Sequence, residues 1–543
     1  MIILGIGGSV HDYSCAVLVD GNIEVSIEEE RISREKHGSG KRSRLFKCID
    51  YCLDTLQISL EDVDCIVATD SLEVISLHKY LDKIIFVNHH IAHCASSYYT
   101  SGMDEAAGLV IDGWGSSYMD GKSEAISLYH ADRSNGISLL HKIFCNLNFL
   151  EKNDIFKGAK ANSIGNFYSI ITHLCGFSIL QDGKTMGLAS YGKSTFENEI
   201  SKFIQLELKK GKPYLAFDSE ALVDYGLNLL KEKTINDNFD IFADVAYAGQ
   251  AILEKIIFEI MNYLYSITNT KKLIYGGGVA LNSVLNGKIK KQTPFEDVFI
   301  YPAAGDAGIG VGAALYMYHN ILKYPYKNNS KLKTVFLGKV YNDEDILSCI
   351  KQFTDKISFK KCSETDLFLV AAQKIKENNI IGWYQGQTEV GPRALGNRSI
   401  LANPSNAAMK DILNYRVKFR EHFRPFAPSV LKEYMSDYFC DDFTDNSYML
   451  FVSDVHEDKK YQIPGVVHVD GTALLQTVSY EDNRRYYLLI KNFYELTGIP
   501  MVINTSFNIK GKPIVETPKD AMLTFLNCDM DDLFLYDYHI TKI

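Results

Sequence analysis

The sequence predicts an α/β chain in two domains, residues 1–335 and 336–543. Three observations carry this reading. Short apolar runs end in glycine-rich turns and lead into helical stretches, the βα pattern of an α/β fold. That pattern is given twice before residue 180, in the same order of parts, as a duplication with a ligand between its halves would give. Finally, "KYPYKNNSKLK" at 323–333 is polar and turn-rich like a linker, and the chain beyond it is long enough for a second core.

The elements follow in order. "MIILGIGG" is an apolar first strand, and "SCAVLVDGNIEVSIEEERIS" is two strands about the hairpin signal Asp20-Gly21. "LFKCIDYCLDTLQ" then reads as a helix. The second unit, "AAGLVIDGWGSSYMDGKSEAISLYH", has an apolar strand, a turn at 112–116, another at Asp120-Gly121, a further strand, and later the helix "IGNFYSIITHLCGF". Two more βα units stand at "KKLIYGGGVALNSVLNGKI" and "DVFIYPAAGDAGIGVGAALYMYHN". Their glycines let backbone N–H groups approach a phosphate or nucleotide at a helix start, with Gly277 and Asn282 as candidates.

Composition narrows the function. At 543 residues, 46% hydrophobic and 23% charged, the chain is globular and too long for one core. The net charge of −10 is spread along the chain without a basic stripe, which argues against nucleic acid as partner. Eleven scattered cysteines, with no second pair at metal spacing, read as reduced thiols of a cytoplasmic protein. No apolar run reaches spanning length, and the start lacks a basic leader region, so membrane roles are not expected.

Chemistry concentrates in two constellations. In "FVNHHIAHCASSYYTSG", His89 and His93 are four apart and share one face if a helix begins there. A lone H-x-x-x-H is more often core than ligand. Two strand-end carboxylates, Asp112 in "VIDGWG" and Asp306 in "AAGDAGIG", raise the odds of a metal site. Two imidazoles and two carboxylates suit iron(II), zinc or manganese better than calcium. The second constellation holds Arg393, Arg398, Arg416, Lys418, Arg420 and Arg424, in loop-like sequence with few nearby acids. That pattern favours a phosphate or carboxylate pocket. "MVINTSFNIKGKPIVETP" adds Asn504, Ser506 and the lysines 510 and 512, and neither stretch is a Walker loop. His11, in "GGSVHDYSCA", is a candidate general base at a strand end, and Lys36 a candidate phosphate contact.

Together "GSVHDYSCAVLVDG", "EEERISREKHG", "NHHIAHCASSYY", "DGKTMGLASYG", "GGGVALNSVLNGKI", "PAAGDAGIGVGAAL", "GPRALGNRSILANP", "FREHFRPFAPSV" and "NTSFNIKGKPIVETP" resemble the O-carbamoyltransferase family of natural-product and nodulation-factor biosynthesis, over nearly the whole chain. The resemblance implies an N-terminal domain of the actin-like ATPase (ASKHA) superfold, similar to the tRNA threonylcarbamoyl transferase subunit, and a YrdC-like C-terminal domain. It implies that carbamoyl phosphate and ATP, with Mg, give carbamoyl-adenylate, whose carbamoyl group passes to a hydroxyl of a small molecule. Carried over by motif, His89, His93, Asp112 and Asp306 resemble the ligands of an iron(II), zinc or manganese ion. His11 resembles the base, Lys36 an adenylate contact, and Arg393, Lys418 and Ser506 anion-holding residues, with Arg424 and Asn504 beside them. The family usually has arginine where this chain has Leu474; if that cation holds a phosphate, either the first step is slower here or Arg424 or Lys510 substitutes.

The alternative readings are a sugar kinase of the same superfold, with Asp112 and Asp306 around Mg, and a tRNA-modification subunit needing partners. The kinase leaves the arginine-rich half idle, and the acidic chain argues against the subunit. The sequence leaves open the acceptor, whose pocket is expected to include 146–163, and assembly as a homodimer.

Overall fold

The computed structural model describes residues 1–38, 46–72, 83–150, 158–161, 163–326, 331–440 and 445–543. The chain divides into two compact units: residues 1–10 with 64–333, and residues 11–63 with 334–543. The fold is α/β.

In the first unit, Ile2–Gly7 pairs in parallel with Cys65–Thr69, which pairs in parallel with Ile84–Val87. A second sheet runs in the order Asp297–Ile300, Lys272–Gly276, Glu105–Ile111, Lys122–Asp132, Gly136–Leu150, Gly158–Ala161. Its first two pairings are parallel and the rest antiparallel. In chain order the succession of a strand, an antiparallel hairpin and two further strands occurs twice. The first hairpin, Ser14–Val19 with Asn22–Glu28, falls in the second unit and turns at Asp20 and Gly21, both at positive φ. Parallel strands need crossovers, and the 30-residue helix Phe239–Thr268 precedes Lys272–Gly276.

The second unit is built on an eight-stranded mixed sheet. Its order is Ile357–Lys361, Tyr538–Lys542, Asp532–Leu535, Ile381–Tyr384, Arg398–Ala402, Met501–Ser506, Ala427–Leu431, Gln476–Val478. Side chains alternate between its faces. Ile381, Trp383 and Leu401 join the helices Glu364–Lys376 and Arg484–Thr497 in one core. Tyr384, Ile400 and Ala402 join Ile346, Met409 and Phe525 in the other. Burial on both faces explains why Ile381–Tyr384 is apolar and the other central strands largely so.

No disulfide joins the eleven cysteines, eight of which are buried. Among the described residues, no helix is long and apolar enough to cross a membrane.

Candidate active site

The stretch "NHHIAHCASSYYTSG" folds as a capped helix, His89–Ser101. Asn88 caps its start, accepting the Ile91 N–H through Oδ1 at 3.1 Å. Gly102, at φ +77, ends it. Spacing of four places both imidazoles on one face, their Nε2 atoms 3.1 Å apart. Asp112 follows the strand Glu105–Ile111, and Asp306 precedes the helix Ile309–Tyr316. Glycines bring these elements together. A Cβ on Gly312 would collide with the Ala92 carbonyl of the histidine helix, and one on Gly277 (φ +90) with the Ile111 carbonyl. Only glycine permits both approaches.

His89 Nε2 lies 3.4 Å from carboxylate oxygens of both Asp112 and Asp306. His93 Nε2 lies 3.1 Å from Asp112 and 3.5 Å from Asp306. The four donor atoms all fall within 4.8 Å of one another. Ser71 Oγ, 2.7 Å from His89 Nδ1, fixes the ring so that Nε2 faces inward. Burial opposes charge on His89, yet Asp306 and Asp112 overcome it and push the imidazole up to about 10. Burial and Asp306 both work to raise Asp112, but hydrogen bonds from the two histidines hold it well below the usual carboxylate range. A buried and a half-buried carboxylate facing two buried imidazoles have the charge and donor types of a cation site, so these residues fit a divalent first-row metal. His90 does not join them: its Nδ1 meets Ser127 Oγ at 2.8 Å, and burial, then His89, hold its pKa well below the ordinary value.

Beneath the helix, Glu124 accepts from Asn88 (2.7 Å), Tyr118 (2.9 Å) and buried Lys142. Gly277 and Asn282 belong to this same unit. Asn282 caps a short helix through Leu285 N–H at 3.1 Å, and its amide exchanges hydrogen bonds with Gln250.

His11, Lys36, Arg393, Lys418, Arg424, Asn504 and Ser506 all lie in the second unit. The helix Met409–Leu413 runs into a π-helical turn, Asn414–Lys418, where the sequence suggests a loop. Lys418 is buried, and its Nζ donates to Ser506 O (2.7 Å), Asn508 O (3.0 Å) and Asn508 Oδ1 (2.7 Å). Burial, reinforced by Arg420 and Arg424, depresses its pKa well below the usual value. Arg393 falls to about 10 through burial and then Arg424, and its Nε is buried with no hydrogen-bond partner. Arg420 falls to about 9 for the same two causes. Cations crowded against one another are stabilised by an anion.

Two of the six cations are not of this kind. Arg416 is bound to Asp529 at 2.6 Å and Asp531 at 2.8 Å, and Arg398 lies 3.9 Å from buried Glu516. Their acids are more than 100 residues away, which no local reading of charge reveals. Asn504 acts through Nδ2, which donates to Ala394 O (2.9 Å), Ser429 Oγ (3.0 Å) and Gln476 Oε1 (3.0 Å). Leu474 is nearly buried and pairs in register with Val452. A cleft of about 600 Å³ is lined by Asn414, Tyr415, Arg416, Phe419, Arg420 and His422.

His11 Nδ1 is 3.0 Å from Asp12 Oδ2, and His37 Nδ1 is 3.1 Å from Asp12 Oδ1. Burial would raise Asp12, but the bonds from His11 and His37 lower it, so it stays ionised. An ionised Asp12 accepts a hydrogen bond from Nδ1–H of His11, the tautomer that leaves the lone pair on Nε2. Lys36 is exposed, with Glu30 at 4.0 Å. Asp12 and Ser71 escaped the sequence reading, although Asp12 stands beside His11 in "VHDY". Of the expected acceptor segment, 151–157 and 162 lie outside the described residues.

Two family models cover the chain. Carbamoyltransferase N-terminus matches residues 2–78 and 72–315, and Carbamoyltransferase C-terminus matches 372–542. The chain belongs to the carbamoyltransferase family. Nodulation protein NolNO of Sinorhizobium fredii is 33% identical over 98% of this chain and 79% of its own length. Nodulation protein NolO of Bradyrhizobium diazoefficiens is 34% identical over 84% and 79%. An uncharacterised protein of Synechocystis is 31% identical over 99% and 96%. Among solved structures, full-length HypF in its phosphate- and nucleotide-bound form aligns with 60% of this chain and 56% of its own, at 16% identity and a TM-score of 0.41. The carbamoyltransferase thus carries a buried histidine–aspartate cluster in one unit and a group of crowded cations in the other.

Proposed function

We propose that this carbamoyltransferase is an ATP-dependent O-carbamoyltransferase working in two steps. In the first, water releases phosphate from carbamoyl phosphate and leaves carbamate. A carbamate oxygen then attacks the α-phosphorus of ATP, the bond to pyrophosphate breaks, and carbamoyl-adenylate remains. In the second, an alcohol oxygen of a small-molecule acceptor attacks the carbamoyl carbon and AMP departs with the C–O electron pair.

The observation that carries the first step is the gathering of Arg393, Lys418, Arg420 and Arg424, lowered first by burial and then, at all but Arg424, by neighbouring cations, with Glu421 opposing this only at Arg420 and Arg424. They would hold the phosphates and spread the charge that builds as pyrophosphate leaves, with Ser506 orienting Lys418 and Asn504 holding the Ala394 backbone. Mg accompanies ATP.

For the second step, His89, His93, Asp112 and Asp306 would hold a divalent ion, with iron(II), zinc or manganese as the candidates. Such an ion supplies Lewis acidity and an anchor for the phosphate of the adenylate. His11 takes the proton of the acceptor hydroxyl at Nε2, oriented by Asp12. Lys36 contacts the adenylate, and Gly277 and Asn282 line the nucleotide side. The enzyme acts in the cytoplasm on a soluble alcohol.

Incubating the protein with ATP and Mg, with and without carbamoyl phosphate, tests this reading. AMP and pyrophosphate formed only with carbamoyl phosphate support it. ADP formed with a sugar and indifferent to carbamoyl phosphate would put a sugar kinase in its place.

A further inference from the structure

In "EEERISREKHG" the two-step reading uses Lys36 alone, yet Glu28 and Arg31 of this segment are both buried. Arg31 is 1% exposed and sits within the C-terminal unit. Its Nη1 donates to Thr388 Oγ1 at 2.8 Å and its Nη2 to the Gly391 carbonyl at 2.6 Å. Its Nε faces Glu28 Oε2 at 3.3 Å. Glu28 Oε1 accepts the Gly391 N–H at 2.5 Å. One ion pair therefore engages both the N–H and the carbonyl of Gly391.

Gly391 stands at φ +93, a conformation costly for any residue with a side chain. Pro392 follows, and then Arg393. The far side of this loop is tied as well. Glu389 Oε1 accepts the N–H groups of Leu395 (2.6 Å) and Arg398 (3.2 Å), and Gln476 Nε2 donates to the Leu395 carbonyl at 3.0 Å. Arg393 itself has a buried Nε without a partner. Its place is thus set by the backbone on either side and not by its own bonds.

A buried ion pair is an expensive way to stabilise a fold, because desolvation cancels most of its attraction. It is an effective way to fix a geometry, since guanidinium and carboxylate are directional. We propose that the Glu28–Arg31 pair positions Arg393 for carbamoyl phosphate, so that activation in the C-terminal unit depends on a segment from the start of the chain. Glu28 and Arg31 are positioning residues; they need not touch substrate. The inference rests on the two-step reading, in which Arg393 binds the anion. A displacement of about 1 Å at a binding cation is enough for a large loss of turnover.

The test uses the full chain with Arg31→Lys, Thr388→Val, Arg393→Ala and the Arg31→Lys/Arg393→Ala double variant. Carbamoyl phosphate affinity is measured by calorimetry, and KM values for carbamoyl phosphate and ATP by pyrophosphate exchange. Arg31→Lys, which loses the fork but keeps the charge, is expected to weaken carbamoyl phosphate about tenfold, and Thr388→Val about threefold. The KM for ATP stays within twofold. The double variant is expected to be no weaker than Arg393→Ala alone, because the pair acts only through that arginine. Should Arg31→Lys fail to fold, Thr388→Val and its double variant with Arg393→Ala carry the same comparison. Unchanged affinity in folded Arg31→Lys and Thr388→Val, beside a loss in Arg393→Ala, would overturn the positioning role alone. So would additive losses in the double variant. Wild-type affinity in Arg393→Ala would instead overturn the anion-binding reading and the inference with it.

Discussion

In the first unit a buried and a half-buried carboxylate face two imidazoles; in the second, arginines and a lysine lie together against backbone oxygens. The first gathers acids and the second gathers bases. The carboxylates depress no neighbour and draw His89 upward, which is the behaviour of a cavity short of positive charge. Burial first and Arg424 second pull Arg393 and Arg420 down, with Glu421 opposing only at Arg420, which is the behaviour of a cavity short of negative charge. The pair teaches that an unbalanced cluster identifies its ligand by sign. On the proposed reading a divalent ion would answer the first and a phosphate the second.

The largest effect should come from breaking the first centre. His93→Ala and Asp306→Ala are expected to lower bound metal, measured by elemental analysis, and to cut carbamoyl transfer about 1000-fold. Pyrophosphate exchange should stay within about threefold of wild type, since it needs only the second centre.

Glu29 sharpens the comparison, being a buried carboxylate on which burial outweighs the pull of Lys47. Burial pushes it up to about 7, opposed by the Cys48 N–H that its Oε2 accepts at 2.8 Å. The folded chain therefore keeps a proton that the unfolded chain releases near 4.5, and stability falls as pH rises from 4.5 through 7. Glu29→Gln removes that slope. Urea unfolding at pH 5 and pH 8 should show wild type losing up to about 3 kcal/mol relative to the variant; parallel curves would contradict the assignment.

Breaking the second centre comes next. Arg393→Ala should raise the KM for carbamoyl phosphate by roughly thirtyfold, about 2 kcal/mol for a charge-assisted bond, with bound metal unchanged. Asp12→Asn is expected to lower the transfer rate about tenfold and move the acid limb of its pH profile downward, because the anion that favours the His11 imidazolium is gone. The same variant should leave pyrophosphate exchange alone. Arg416→Ala has the smallest effect. Its half-exposed pairs with Asp529 and Asp531 are worth about 1 kcal/mol of stability, read by denaturant melts, and activity should hold within twofold.

These regions were not equally legible in the sequence. The βα units, the two hairpins and the capped histidine helix are local patterns, set by alternation, turn residues and a spacing of four. The four candidate metal ligands share that advantage, since Asp112 and Asp306 sit beside glycines at a strand end and a helix start, and His89 and His93 stand four apart. His90 shows the limit: it stands between the other two histidines in sequence, but the helix turns it toward Ser127. The charge run misleads for the opposite reason. Whether Arg398 or Arg416 is balanced depends on Glu516, Asp529 and Asp531, which only the folded sheet brings near. The hydrogen-bonding of Arg31 to Thr388 and Gly391 spans more than 350 residues, and no periodicity encodes it.

The central claim is that activation and transfer use separate residues. Pyrophosphate exchange into ATP, dependent on carbamoyl phosphate and measured side by side in wild type, His93→Ala and Arg393→Ala, tests it without any acceptor. The account predicts exchange kept in His93→Ala and weakened in Arg393→Ala at limiting carbamoyl phosphate. Equal loss of exchange in both, with both folded, would show that one centre serves the whole reaction and would contradict it.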